Sequence, residues 1–541
     1  MMKRKSIISV LILGIVTLAL LLSVGCGNKE EFIFEMTADG GAVLVDYRGK
    51  GGEVTVPSEW NGASVVAVGD FAFSNIQRLS GVSLPESVTR IGAYAFAESA
   101  RLKYVKIGSK HISLGKGCFM GCLSIEEIDL GECNALPDSA FKNCLSLRAV
   151  KGDELKSIGD DAFMGCRALA EYTVPDGVTS LGDSAFENCT SLGRLNIGNG
   201  VSQIGAGCFV NTSANIVFGE NSQITKISAN TFAGCIGGTI TVPKSVKEFE
   251  SYAFADCAAD VIISGSDGDI SEGLFSGYLG ESIVIPENAS YIGKHAFANC
   301  LNLKTVYIPA NISSIGEEAF AGTAASVVFA ENSRLAEIGY KAFAGYLGES
   351  LIIPASVTRI ASLAFEDSTA RVGFADGSGL IEIADEGFLD WEGGEIVLPD
   401  TLVTLGESAF EGCENLEAVT LPEGITNIPE LAFSGCKKLK LIVIKGAVEE
   451  IGELAFFACD SIEEFDIPDG VKKIGAHAFD SCESLKKVSI GVGIEEIGES
   501  AFGNCAVFSD IIYAGSEEEW SQVKLVDGLS AIGYAKVTFK K

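Results

Sequence analysis

The chain has 541 residues, rich in Gly (63) and Phe (31) and poor in Met (5), Trp (3) and His (3). Acids outnumber Lys and Arg by 72 to 40, giving a formal net charge of −32, while an apolar fraction of 47% is ample for a core. That charge argues against nucleic acid as a partner, because phosphate binding draws most of its affinity from Lys and Arg. It suits the solubility of a long exposed surface.

In chain order, the first element is a targeting segment. Lys3, Arg4 and Lys5 precede an apolar stretch at 7–22, the layout of a signal peptide. The stretch ends in Leu22-Ser23-Val24-Gly25-Cys26, and a small residue before a Cys at this point resembles a bacterial lipobox. The resemblance implies a lipoprotein signal peptide over 1–25, with Cys26 lipidated and 26–31 as a short tether. Ser23 departs from the aliphatic residue usual three places before the Cys, and an uncleaved anchor is the alternative. A multiply acylated Cys holds firmly to a bilayer. No second apolar stretch of about 18 residues comes after it.

Residues 32–69 carry no repeat but contain alternating runs at 42–47 and 54–57, and are expected to form an N-terminal cap. From 70 to 508 one unit recurs: Ile-Gly-x-x-Ala-Phe-x-x-Cys-x-x-Leu-x-x-Val-x-Ile-Pro. Its Phe can be traced without a gap from Phe73, Phe96 and Phe119 through Phe297 to Phe479 and Phe502, twenty rungs spaced by 21 to 23 residues. A period in the low twenties predicts a leucine-rich solenoid. Val306 and Ile308 alternate with Thr305 and Tyr307, which is strand periodicity. Ten of the twelve Pro close this strand, where a missing N–H costs least. The expected fold is a repeat solenoid of about twenty right-handed, α/β-type coils, each giving one short strand to a parallel sheet. Successive Phe rings should stack, since one coil cannot bury its own apolar side chains. The Gly of Ile-Gly is expected to permit a tight turn or a positive φ.

The array has grown by copying. Gly277-Tyr278-Leu279-Gly280-Glu281-Ser282 reappears, nearly unchanged as far as Pro286, at Gly345-Tyr346-Leu347-Gly348-Glu349-Ser350, three coils on. Twelve of the sixteen Cys sit three residues after a Phe rung, where other coils hold Thr212, Thr323, Ser368 or Tyr346. A slot shared by Cys, Ser and Thr reads as a small-residue core position with free thiols, not as a disulfide framework. No Cys-x-x-Cys or Cys-His cluster of zinc-ligand spacing is present. After Phe502 the pattern dissolves, and 509–541 is expected to be the C-terminal cap.

The unit, together with the leading Thr37-Ala38-Asp39-Gly40 and the closing Tyr513-Ala514-Gly515-Ser516-Glu517-Glu518-Glu519-Trp520, resembles the BspA-like leucine-rich repeat proteins of bacterial surfaces. The resemblance spans residues 31–541. It implies an extracellular or surface protein that binds extracellular proteins or glycans, with no cofactor and a membrane contact only through the lipid. Fold does not fix the ligand.

Outward strand positions supply the candidate binding face: Glu126, Glu127, Asp129, Lys304, Tyr307, Glu463, Glu464, Asp466, Lys486 and Lys487. An enzyme is not expected. His111, His295 and His477 are scattered, and no Gly-x-Ser-x-Gly, phosphate loop or His-Glu-x-x-His is present. A structural spacer without a specific ligand is the alternative to a binding module.

Overall fold

In the computed structural model residues 31–263 and 268–540 are described. The signal segment and Cys26 lie outside them. The described residues form a stack of coils joined by parallel strands, each coil pairing with the next one repeat away. Arg194–Ile197 pairs residue for residue with Asn215–Phe218, and Lys487–Ile490 with Asp510–Tyr513. Inward Val and Ile alternate with outward polar residues along these strands, as in the buried Leu195 and Ile197 beside the exposed Arg194.

Two details differ from the sequence expectation. Most coils carry a second strand of only two residues, ending on the Ile of the Ile-Gly turn. Six of these, from Tyr291–Ile292 to Thr404–Leu405, form one sheet. Nor is there an α-type element in the coils: the one α-helix among the described residues is the four-residue Glu517–Trp520 near the C-terminus. The segment around each Phe is a row of tight turns instead. Its cause lies in the backbone, where residues two before and two after each Phe have positive φ. Tyr94 (54°) and Glu98 (60°) flank Phe96, and Leu431 (57°) and Gly435 (74°) flank Phe433. A helix cannot continue through such residues.

This geometry is held from outside. The N–H groups of Tyr94, Phe96 and Glu98 donate to carbonyls of the next coil, those of Lys116, Cys118 and Met120, at 2.7–2.8 Å. Intervening N–H groups close turns within the coil, as Ser99 N to Phe96 O at 3.2 Å. The backbone therefore has partners throughout, and burial of the turn leaves few orphaned polar groups.

The Phe ladder is continuous. All twenty rings are buried. Successive centroids lie 4.8 Å (Phe365 to Phe388) to 6.0 Å (Phe186 to Phe209) apart, and Phe410 and Phe433 are within 1° of parallel. Tyr47 caps the column at 5.1 Å from Phe73, and Phe508 closes it at 5.0 Å from Phe502. At the N-terminal end Phe32–Met36 pairs antiparallel with Ala42–Tyr47, which then runs parallel to Ala63–Val68.

The Gly of Ile-Gly does not have positive φ. Its role is close approach: a Cβ on Gly182 would lie 2.4 Å from the backbone N of Asp160, and one on Gly475 2.5 Å from that of Glu453. The Asp before the next turn often bonds this junction, as Asp160 Oδ1 accepts from Asp183 N at 2.9 Å.

The fifteen described Cys carry free thiols. The slot after Phe has a specific task. Cys166 Sγ donates to Phe141 O at 3.2 Å and Cys436 Sγ to Phe410 O at 3.2 Å, the carbonyl of the preceding rung. Ser99 does the same toward Phe73 O at 2.7 Å. Where larger residues fill the slot they reach a nearby carbonyl: Tyr278 and Tyr346 through their hydroxyls to Ala259 and Ala325, Trp391 through its indole N–H to Ala370. Burial pushes the thiols of Cys122, Cys189 and Cys300 up to about 12.

Candidate functional site

The longer strands present one outward face along the array. Each contributes the residue between its two inward apolar positions, and register places these residues in a row. Asn196 adjoins Val217, Tyr307 adjoins Val328, and Thr420 adjoins Val443. Adjacent strands lie about 4.8 Å apart, so the row is a ruler of nearly constant spacing.

The sequence-predicted residues sit on this face but do not converge. Glu127 and Asp129 are exposed on the strand Glu127–Asp129 and line an open groove of about 590 Å3 with Tyr104, Lys106 and Lys151. Glu126 is exposed just before that strand. Lys304 and Tyr307 belong to a coil eight rungs further on, and Tyr307 is 51% exposed. Glu463, Glu464, Asp466, Lys486 and Lys487 lie together near the C-terminal end.

Most of these charges are already engaged. Lys486 pairs with Glu463 at 2.7 Å, Lys487 with Glu464 at 2.6 Å, and Lys304 with Glu281. In each the Lys comes 23 residues after its Glu, one coil on. Lys472 with Glu449 (2.8 Å) and Lys473 with Glu450 (2.6 Å) repeat the pattern. The Lys486 ammonium holds the Glu463 carboxyl below its usual range. Pairs this exposed add little to stability. Their main effect is to neutralise the face locally.

The outward row itself changes character along the chain. Toward the N-terminal end it reads Ser83, Lys106, Asp129, Lys151, Thr173 and Asn196; at the other end, Asp466 and Ser489. Between them it is mostly apolar, at eight of eleven rungs. Val217, Ile262, Val284 and Tyr307 are succeeded by Val328, Ile352, Val397 and Val443, all exposed, with Val284 at 73% and Val397 at 82%. Thr241, Gly373 and Thr420 fill the remaining rungs. At its N-terminal end the row borders an open groove of about 980 Å3, lined by Val217, Thr239, Thr241 and Pro243. Sequence reading singled out Asp129, Asp466 and Tyr307 from this row, and of its apolar members found Tyr307 alone. The signal is the middle residue of each Val-x-Ile, legible only once the strands are aligned.

No group of three or more His, Cys, Asp and Glu able to hold a metal ion occurs among the described residues. The three His have local partners: His111 with Glu132 at 3.0 Å, His295 with Glu318 at 3.1 Å and His477 with Asp480 at 2.8 Å. No helix among the described residues is long and apolar enough to cross a membrane.

A family model described as the BspA type leucine rich repeat region matches residues 59–153, 134–260, 258–371 and 381–509. The chain belongs to this BspA-type leucine-rich repeat family. Among solved structures, a leucine-rich repeat protein from Bacteroides ovatus is 19% identical, covering 95% of this chain and 100% of its own, with a TM-score of 0.30. A leucine rich cell surface protein from Faecalibacterium prausnitzii is 21% identical over 93% of this chain and 98% of its own, with a TM-score of 0.24. The pneumococcal vaccine antigen PcpA is 17% identical over 95% and 98%, with a TM-score of 0.24. A search of the curated proteins finds no match. The BspA-type unit is the one whose Phe, Cys and Gly positions build the stack.

Proposed function

We propose that this BspA-type chain is a cell-surface binding array, held at the outer face of a bacterial membrane through a lipidated Cys26, that engages extracellular proteins or glycans without catalysing a reaction. The observation that carries this reading is the outward strand face. Its residues take no part in the core, yet they are held in fixed register over the length of the array. Stacked repeats commonly use such extended surfaces for recognition. The candidate residues from Glu126 to Lys487 would act as local contact points along that face. The His pairs support binding over catalysis, since among the described residues each His ring is paired with a carboxylate and none with a Ser or Cys nucleophile.

The test is retention. The full chain is immobilised and exposed to a panel of matrix proteins and soluble glycans at physiological salt. Retention of at least one, weakened by substitutions on the strand face, is the expected result. Retention of nothing above a blank surface would favour a structural spacer. Labelling with radioactive palmitate, lost in Cys26→Ala, tests the anchor separately.

A further inference from the structure

Stacking needs nothing apolar at the outward strand row. Lys106, Asp129 and Asn196 occupy it in coils that stack as well as the rest: the rings of Phe96 and Phe119 are 5.4 Å apart beside Lys106, as are those of Phe209 and Phe232 beside Val217. The change to exposed Val, Ile and Tyr at eight of eleven successive rungs therefore has no origin in the core. Isolated surface hydrophobics are ordinary, but an aligned exposed apolar band is characteristic of an interaction surface. At one strand per coil the band runs for roughly 50 Å.

Its two borders differ. On one side, two residues before the row, exposed hydroxyls prevail in the middle of the band (Ser282, Thr305, Ser326 and Ser350), with Asp260, Arg371 and Glu395 of mixed sign at other rungs. On the other side carboxylates predominate, with one exposed cation, Lys244. The residue three places after the row is Glu220, Glu287, Glu331, Asp376, Asp400 or Glu423 in six coils, each exposed. Of these six only Asp400 has a cationic partner among the described residues, Lys445 at 3.3 Å.

Resting on the binding-array reading, we propose that this band is the docking surface for a protein segment that presents aliphatic side chains bordered by Lys or Arg. An apolar stripe supplies contact area, and the carboxylate row selects the sign of the neighbouring charge and speeds encounter. A second copy of the chain is disfavoured by the same row, which would meet its own carboxylates in a molecule of net charge −32. Glycans are disfavoured because the band offers aliphatic side chains and a single aromatic face, Tyr307.

The probe is a 20-residue peptide of alternating Leu and Lys, immobilised and presented with the full chain by interferometry. A Ser–Lys peptide of equal charge and a Leu–Glu peptide serve as comparators. The apolar variant is Val284→Ser with Ile352→Ser and Val397→Ser; the acidic variant is Glu287→Gln with Glu331→Gln, Asp376→Asn and Glu423→Gln. All seven side chains are exposed, and an unchanged melting temperature verifies that both variants fold. The Leu–Lys peptide is expected to bind the native chain, and to bind the apolar variant at least about tenfold more weakly once three aliphatic contacts are lost. The acidic variant is expected to bind more weakly and with less salt dependence.

Absent binding of the Leu–Lys peptide, equal binding of the Ser–Lys or Leu–Glu peptide, or undiminished binding by the apolar variant would each overturn the proposal. So would a dimer, or a retained glycan, that the apolar variant loses. A matrix protein retained equally by native and apolar variant overturns the band and leaves the binding array standing. Retention of nothing overturns the array itself.

Discussion

Phe297→Ala tests the stack at its centre. The ring is fully buried, 5.5 Å from Phe275 and 5.2 Å from Phe320, and within 15° and 7° of parallel to them. Truncating a buried Phe to Ala costs about 3–5 kcal/mol, in lost burial plus the cavity left behind. Two ring contacts disappear with it, each worth roughly 0.5–1.5 kcal/mol within that total. Because coils contact only their neighbours, the loss should stay local and not unfold the chain as one unit. Hydrogen exchange resolves this, since amide protection reports the free energy of local opening. The amides of His295, Phe297 and Asn299, which donate to Glu317, Ala319 and Ala321, should lose protection by a factor of roughly 100 to 4,000, the equivalent of that energy. Coils beyond Phe254 and Phe343 should change little. Unaltered protection at 295–321, or an equal loss along the whole array, would refute the column of rings as the source of stability.

Gly182→Ala should lower the melting temperature by the equivalent of about 1–3 kcal/mol, as overpacking against backbone does, because its Cβ would meet Asp160 N at 2.4 Å. Gly237→Ala, with nothing within 4 Å of the added carbon, should be near neutral in the same scan. Iodoacetamide labelling of the native chain, read by mass spectrometry, should modify Cys505 first. That thiol is only partly buried, whereas burial keeps Cys122, Cys189 and Cys300 protonated at about pH 8. Asp480→Asn should destabilise the C-terminal coils at neutral pH. Burial opposes the Asp480 charge, but His477, Asn504 and Ser481 hydrogen-bond it and hold its pKa below the usual carboxylate value. A depressed carboxyl stabilises above its unfolded pKa and loses that contribution as pH falls through the folded value. The melting-temperature difference between native and variant should therefore shrink below about pH 4.

The column and the long strands were legible because each leaves a period: a Phe every 21 to 23 residues, and Val-x-Ile in alternation. The second strand was not, since two residues such as Ser180 and Leu181 carry no alternation to read. The turns around each Phe were hidden for a different reason. Tyr94, Lys341 and Leu431 have no preference for positive φ, and adopt it because hydrogen bonds to the next coil fix them there. The Gly of Ile-Gly was found but its role was misjudged: the constraint is the distance to another coil, invisible along a single chain. On the candidate face, charge drew attention to Glu463 and Lys486, which turn out to neutralise one another. The apolar band escaped because its residues, taken one coil at a time, look like ordinary strand composition.

The backbone N–H bonds of the Phe residues all run one way, opposite to the thiol bonds that Cys166 and Cys436 send back to the preceding rung. At every interface from Phe73 to Phe479 the ring-bearing residue's N–H points to the later coil and the acceptor lies there. Along this one row of Phe peptides, dipoles of about 3.5 D point the same way, as they do in a helix. Along this edge a coil has a donor side and an acceptor side, while at the Ile-Gly junction the sense is reversed, as Gly182 N donates back to Ile158 O. Gene duplication can lengthen such an array indefinitely, as the copied block at 277 and 345 illustrates, but it can never lay one coil upside down.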